Sequence, residues 1–190
     1  MTIRVLVADD QAMIRGALAG LLDLERDIEV VAQAADGAQA LDELARLAGA
    51  SDPSGASGAA RASAPVDVAI IDVEMPHMDG ITATQAIRAR FPGVRVLIVT
   101  TFGRPGYLQR ALDAGATGFM VKDAPVETLA DGVRTVAAGG RAIDQSLALE
   151  ALSTGSSPLT DREADVLREV EGGGTIADIA HSLGLSQGTV

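Results

Sequence analysis

The stretch IRVLVADD, residues 3–10, joins a short apolar run to two adjacent aspartates. The same design returns at VAIID, residues 68–72, and in modified form at RVLIVTT, residues 95–101. Runs of this length, rich in Val and Ile and apolar at nearly every position, are typical of parallel strands covered by helices on both faces. These stretches therefore predict an α/β fold in which polar residues follow the carboxyl ends of the strands.

Short β-branched runs alternate with helical stretches through the first 138 residues. The predicted strands are Ile3–Ala8, Ile28–Ala34, Val68–Ile71, Arg95–Thr100 and Gly118–Val121. The predicted helices are Gln11–Leu24, Gly37–Ala48, Gly80–Arg90, Pro105–Ala114 and Pro125–Ala138. Strict alternation of strand and helix predicts a doubly wound, five-stranded parallel sheet with right-handed crossovers.

The composition excludes several classes of protein. The 190 residues carry 26 acidic and 15 basic side chains, a net charge of −11, and no Cys. A disulfide scaffold, a thiolate zinc site and thiol catalysis are therefore excluded. No signal-peptide pattern or membrane-spanning apolar run is present, so we expect a cytoplasmic protein without membrane contact. The acidic balance argues against a broad nucleic-acid-binding surface, so any DNA contact would have to be local.

The composition and periodicity of the sequence change along the chain, which predicts a division into separate parts. Residues 1–138 form the α/β domain, interrupted by a flexible insertion at residues 49–65 that is rich in Ser, Gly and Ala. Residues 139–157 are a predicted linker, and residues 158–190 are a second, helical segment. In that segment Thr160–Glu163 is a candidate capping box that opens a helix through Val166, Leu167 and Val170. A second short helix is predicted at 176–183, before a tight turn and the start of a third helix.

Five polar residues follow the carboxyl ends of four predicted strands: Asp9, Asp10, Asp72, Thr100 and Lys122. In an open parallel sheet these ends meet at one edge, where ligands bind. Two carboxylates about 5 Å apart repel by roughly 3 kcal/mol at an effective dielectric constant near 20, so three of them require a cation. Oxygen ligands in a small open site suit Mg²⁺, which prefers a phosphate oxygen as a further ligand.

This arrangement predicts a metal-assisted phosphoryl acceptor with a carboxylate nucleophile. Asp72 is the candidate nucleophile, because it is the single acid on the central strand. Lys122 is the only lysine in the chain, every other basic residue being Arg, and its compact ammonium could contact the phosphoryl group. The Thr100 hydroxyl could donate to the same group.

Four separated motifs resemble the receiver domain of bacterial two-component response regulators, a flavodoxin-like (βα)5 fold. They are LVADDQAMIRGAL at 6–18, IIDVEMPHMDGI at 70–81, VLIVTTF at 96–102 and GATGFMVKDAP at 115–125. The resemblance implies that Asp72 accepts phosphate from a sensor histidine kinase. It also implies that Asp10 and Asp72 ligate Mg²⁺ directly, that Asp9 acts through water, and that Glu74 contributes its backbone carbonyl.

The same resemblance assigns the switch that follows phosphorylation. Thr100 and Lys122 bind the phosphoryl group, and Phe119, three residues before the lysine, occupies the switch-aromatic position. Thr100 moves toward the phosphate and Phe119 turns inward, which repacks the face formed by helix four, strand five and helix five. Either this face or the face of helices one and five is the expected homodimer surface. Glu74 and Thr101 lie near the pocket and are candidates to tune hydrolysis of the phosphate.

The C-terminal segment resembles the helix-turn-helix of the NarL/FixJ, or LuxR-type, regulators. The match rests on LTDREADVL at 159–167 and LGLSQGTV at 183–190. In this motif the second helix enters the major groove of promoter DNA, and Thr189 and Val190 would begin its base-contacting surface. We expect a recognition helix that is incomplete in these 190 residues. Residues 158–190 hold two Arg against six acids, so we expect this form to bind DNA poorly.

The leading hypothesis is a phosphorylation-switched transcription regulator, not an enzyme. One alternative is a Mg²⁺-dependent aspartyl-phosphate phosphatase, whose nucleophile would be expected at Asp9 or Asp10. Another is an interaction module that works without phosphorylation. His77 and His181 have no partner at metal-ligand spacing, so the first is predicted in a loop and the second on a solvent-facing helix surface.

Overall fold

A computed structural model of the chain describes residues 2–50, 66–101, 106–144, 147, 166–167, 169–170, 175–186 and 188–189. The chain divides into two compact units, residues 1–153 and 154–190. Of the predicted insertion at residues 49–65, only Gly49 and Ala50 belong to the described residues, and they continue a helix. No helix in these described ranges is long and apolar enough to cross a membrane.

The first unit is built on a parallel sheet with the strand order β2-β1-β3-β4-β5-β6. The strands are β1 (Ile3–Ala8), β2 (Ile28–Ala34), β3 (Val68–Ile71), β4 (Arg95–Thr100), β5 (Gly118–Val121) and β6 (Ala142–Ile143). The predicted doubly wound parallel sheet is confirmed, and its five strands have the predicted bounds. The number of strands differs, because β6 pairs with β5 inside the predicted linker. Two residues are too few to show a strand periodicity in the sequence.

Within the described part of this unit, five helices cover the sheet: α1 (Ala12–Leu22), α2 (Gly37–Ala50), α3 (Gly80–Arg90), α4 (Tyr107–Asp113) and α5 (Val126–Ala137). Seven of the ten helix ends differ from prediction by one or two residues, and three of them show why. Gln11 has an extended backbone and precedes α1 as its N-cap. Pro125 is likewise the residue before α5 rather than its first residue. Asp23 is the C-cap of α1, so that helix ends before the predicted Leu24.

Each face of the sheet has its own hydrophobic core, because successive strand residues point to opposite faces. Val5 and Val7 of β1 pack into a core with Leu22 of α1 and with Leu129 and Val133 of α5. The intervening residues of β1 belong to a second core, formed with buried residues of α2, α3 and α4 that are Leu41, Leu44, Ile81, Ile87, Leu108 and Ala111. This two-sided burial explains why the strands are apolar at nearly every position.

The second unit contains the helix α6 (Ile176–Ser182), close to the predicted 176–183. Thr175 caps it in a capping box with Asp178, a T-x-x-D pattern that the sequence carries but for which no prediction was made. Residues 166–167 and 169–170 are helical, as predicted, whereas the capping box predicted at residues 160–163 lies outside the described residues. Gly184 has φ +62° in the turn predicted after α6.

Candidate functional site

Pairing between β1 and β3 brings two of the predicted aspartates to the same edge of the sheet. Ala8 and Ile71 are register partners at the ends of these strands, and Asp9 and Asp72 are the residues that follow them. The Asp72 N–H donates to the Ala8 carbonyl at 2.9 Å. Asp9 and Asp72 are 1% and 4% exposed, so two carboxylates are buried side by side at this edge.

Pairing between β4 and β5 places Thr100 and Lys122 at the same edge. Thr100 pairs with Val121, and the Lys122 N–H donates to the Thr100 carbonyl at 2.8 Å. Thr100 is buried, with 3% of its surface exposed. Thr100 therefore ends β4, the strand next to the one that delivers Asp72, and Lys122 follows β5, one strand further along the sheet.

The Lys122 ammonium lies between the two buried carboxylates. Its Nζ is 2.7 Å from Asp9 Oδ2 and 2.9 Å from Asp72 Oδ2, and its side chain is 6% exposed. Burial raises the pKa of Asp72, and the nearby Lys122 ammonium offsets only part of this effect. For Lys122 burial acts to lower the pKa, but contact with Asp9 and Asp72 outweighs it, so the pKa of Lys122 is raised. The lysine is consequently charged at neutral pH.

Three of the four predicted metal-binding residues satisfy a simple geometric test for a divalent cation. One carboxylate oxygen each from Asp9, Asp10 and Asp72 lie within 4.8 Å of one another, and Asp10 is exposed to solvent. Asp9 Oδ2 is buried and has no hydrogen bond of good geometry among the described residues, despite its contact with Lys122. Buried oxygen donors beside one open carboxylate match the preference of Mg²⁺ for oxygen ligands and retained water.

Backbone groups hold both buried carboxylates in place. The Gln11 N–H donates to Asp9 Oδ1 at 2.9 Å, and the Val73 N–H donates to Asp72 Oδ1 at 2.8 Å. An Arg15 guanidinium nitrogen of α1 donates to the Asp9 carbonyl at 2.5 Å. Each carboxylate thus has one oxygen fixed by an N–H group and the other directed to Lys122.

The segment from Val73 to Asp79 returns the chain from β3 to α3. His77 is an exposed loop residue with φ +61°, which agrees with its prediction as a loop residue. The Gly80 N–H donates to the Val73 carbonyl at 2.9 Å, which closes the segment against the strand end. Asp79 caps α3 by accepting from the Thr82 N–H at 2.8 Å.

Two predicted residues near the site have contrasting environments. Glu74 is exposed, and its carboxylate Oε1 accepts a hydrogen bond of 3.2 Å from the hydroxyl of Tyr107 on α4. Phe119 is fully buried in the core shared by α2, α3 and α4. The Phe119 ring therefore lies inside this core in the structure. Sequence reasoning missed Tyr107, which lies 33 residues from its partner.

The remaining predicted site residues belong to the second unit. His181 is exposed on α6, in agreement with its prediction. Thr189 is exposed, and its N–H donates to the Ser186 carbonyl at 2.9 Å. Val190 lies outside the described residues.

Both units match known families. Residues 5–134 match the response regulator receiver domain. Residues 157–190 match the luxR family of bacterial regulatory proteins. The first match covers the whole edge that carries the aspartates, Thr100 and Lys122.

Two transcriptional regulatory proteins and one solved response regulator are similar to nearly the whole chain. Two proteins of Bacillus subtilis (strain 168) are each 39% identical over 188 residues: the uncharacterized transcriptional regulatory protein YvfU and the transcriptional regulatory protein DesR. Each match covers 99% of this chain, with 85% of YvfU and 84% of DesR. The crystal structure of the response regulator ChrA, from a heme-sensing two-component system, is 33% identical with a TM-score of 0.61. This match covers 99% of this chain and 84% of the ChrA chain.

Proposed function

The chain belongs to the response regulators of two-component systems that carry a luxR-type DNA-binding domain, and we propose that Asp72 is its phosphoacceptor. The observation that carries this proposal is the buried cluster in which one ammonium, that of Lys122, contacts the carboxylates of both Asp9 and Asp72. A carboxylate at a strand end, beside a cation and two further acids, is placed to accept a phosphoryl group.

In the proposed reaction Asp72 attacks the phosphorus of a phosphohistidine on a sensor histidine kinase. A P–O bond to the carboxylate forms, and the P–N bond breaks as the histidine nitrogen takes its electron pair. The Lys122 ammonium contacts Asp72 at 2.9 Å. It can therefore stabilise the negative charge that develops on the phosphoryl oxygens during transfer. The buried Thr100 hydroxyl is proposed to donate to the same oxygens.

Mg²⁺ is the proposed cofactor of this transfer. Asp10 and Asp72 would hold it directly, Asp9 through water, and Glu74 through its backbone carbonyl. When bound, the ion supplies positive charge that offsets the repulsion between carboxylates and phosphoryl oxygens. The close approach of the Asp9, Asp10 and Asp72 oxygens supports this assignment.

The proposed output of phosphorylation is dimerisation and promoter binding. Thr100 and Phe119 are the proposed switch residues, because they lie on the adjacent strands β4 and β5, next to Lys122. Thr189 and Val190 are proposed to face DNA. Because its proposed partner is promoter DNA, we propose that the protein acts in the cytoplasm.

The relatives do not favour the phosphatase alternative, because they are named as transcriptional regulators. We accordingly propose that the protein is not an enzyme that releases phosphate over many catalytic cycles. A regulator retains its phosphoryl group on Asp72, whereas a phosphatase would release it repeatedly from Asp9 or Asp10. The two functions therefore differ in both the labelled residue and the number of turnovers.

The test is incubation with acetyl phosphate and Mg²⁺, followed by intact mass measurement and peptide mapping of acid-labile phosphate. We expect one phosphoryl group per chain on Asp72, its loss in Asp72→Asn, and its retention in Asp42→Asn, which changes an exposed acid on α2. Label on Asp9 or Asp10 with continued release of phosphate would overturn the assignment.

A further inference from the structure

The start of the predicted linker is attached to β5 by backbone hydrogen bonds. Within it, β6 pairs with β5 in parallel register. The Ala142 N–H donates to the Thr117 carbonyl at 3.3 Å, and the Asp144 N–H donates to the Phe119 carbonyl at 3.1 Å. The second of these bonds joins the linker directly to the backbone of the proposed switch aromatic.

Glycines allow the chain to return along β5 after α5. Gly139 has φ +91°, a left-handed conformation that favours glycine and turns the chain at the end of the helix. Gly118 of β5 has no side chain, and a β-carbon there would lie 2.9 Å from the Ala142 carbonyl oxygen. The close pairing of β6 with β5 therefore depends on the absence of a side chain at Gly118.

Linker side chains also pack on the core that holds the Phe119 ring. Leu147 is 7% exposed and belongs to this core, which it shares with Leu108 of α4. Ile143 is partly buried against the same core. Backbone pairing and core packing thus both attach residues 142–144 and Leu147, together termed the linker anchor, to the surroundings of Phe119.

The same short strand leads to the proposed phosphorylation site. Lys122 follows β5 directly, contacts Asp72 at 2.9 Å and donates its N–H to the Thr100 carbonyl. Because β5 has only four residues, the site and the linker anchor contact the same strand within a few residues of each other. The two residues of β6 are held by few contacts, so this strand opens more readily than the central strands.

We propose that the linker anchor is a regulatory contact whose closed state is stabilised by phosphorylation of Asp72, which fixes the start of the linker to β5. The inference rests on the proposed roles of Asp72 as phosphoacceptor and Phe119 as switch. An inward Phe119 ring supplies core surface on which Ile143 and Leu147 pack, and their packing favours the inward ring in return. Phosphorylation and closure of the linker anchor therefore stabilise each other.

The experiment measures amide hydrogen exchange at Ala142 and Asp144 by NMR in the whole chain. It compares Mg²⁺ alone with Mg²⁺ and beryllofluoride, a mimic of the phosphoryl group on a carboxylate. We expect beryllofluoride to slow exchange at both amides by about tenfold. Asp72→Asn removes the modified carboxylate and should show no slowing. Unchanged or faster exchange at both amides in the unaltered protein would overturn the inference.

Leu147→Ala tests the coupling from the linker side. Coupling between two sites is reciprocal, so a weakened linker anchor should also weaken beryllofluoride binding. We expect half-saturation to need about fivefold more beryllofluoride, read from the amide signal of Val73, whose N–H donates to Asp72. Leu24→Ala is the matched control, because Leu24 is 77% exposed, and it should bind as the unaltered protein does. Equal binding by the two variants would contradict the coupling.

Ile143→Ala is a second variant with the same expected result, which keeps the test decisive if Leu147→Ala does not fold. If acetyl phosphate places no label on Asp72 and beryllofluoride does not shift the Val73 amide, the proposed function fails and this inference fails with it. Normal modification of Asp72 without a response at Ala142 and Asp144 overturns the inference alone.

Discussion

Gly80, the first residue of α3, lies so close to Asp72 that a β-carbon at Gly80 would be 1.9 Å from the Asp72 carbonyl oxygen. The same β-carbon would be 3.0 Å from the Ile71 side chain. The absence of a side chain at Gly80 therefore lets α3 start directly against the strand end that carries the proposed phosphoacceptor.

Gly80→Ala is therefore expected to destabilise the protein. The added methyl group meets backbone that cannot move without shifting Asp72, so we expect a loss of about 3 kcal/mol in the free energy of unfolding. Gly20→Ala on α1 is the control, because a β-carbon there meets nothing within 4 Å, and Ala favours a helix. Urea unfolding of both variants is the measurement, and equal midpoints would contradict the close approach at Gly80.

Five strands, and the polar residues that follow them in the sequence, could be predicted because both depend on the local sequence pattern. Apolar runs of four to seven residues mark β1 to β5, and parallel topology alone brings Asp9, Asp72 and Lys122 to one edge. The short β6 could not be predicted, since two residues show no period. The distances between carboxylates and ammonium also depend on side-chain conformations that tertiary packing selects.

Contacts between side chains that are far apart in the sequence likewise could not be predicted. Arg134 of α5 donates to Asp27 and Glu25, which lie 107 and 109 residues away in the turn before β2. Tyr107 and Glu74 show the same limitation. No periodicity links such pairs, and only the fold brings them together.

The ion-pair cluster of Arg134 predicts a pH-dependent stability. The hydrogen bond from Arg134 holds the pKa of Asp27 below its ordinary value. Its stabilising effect is thus present above the pKa of the unfolded chain and is lost as the pH falls through the lowered folded-state pKa. We expect Asp27→Asn to lower the Tm at pH 7, with the difference from the unaltered protein shrinking between about pH 5 and pH 2. Thermal unfolding across this range is the measurement.

Asp131→Asn is the control for this pH dependence. Asp131 contacts the same guanidinium at 3.0 Å, but its side chain is 74% exposed, so solvent screens the pair. We expect a smaller change in Tm than for Asp27→Asn. Equal effects of the two substitutions, or a difference for Asp27→Asn that is constant with pH, would contradict the prediction.

Replacement of Lys122 tests the charge balance of the buried site. Lys122→Met leaves the Asp9 and Asp72 carboxylates buried without their cation, so we expect a loss of about 3 kcal/mol in the free energy of unfolding without Mg²⁺. Added Mg²⁺ should then raise the Tm of this variant more than that of the unaltered protein. Arg46→Met removes an ion pair whose arginine is 60% exposed and should change stability little. Equal Mg²⁺ responses would count against a cation site at these carboxylates.

The capping box of α6 is expected to stabilise that helix locally. The Asp178 N–H donates to Thr175 Oγ1 at 3.3 Å, and the Thr175 N–H donates to Asp178 Oδ2 at 3.0 Å. Thr175→Ala should reduce amide-exchange protection at Ile179 and Ala180 by about 1 kcal/mol, whereas Thr175→Ser should preserve it. The Thr175 hydroxyl also lowers the pKa of Asp178, so NMR titration should find this pKa closer to its ordinary value in Thr175→Ala. Unchanged protection in that variant would show that packing alone holds α6.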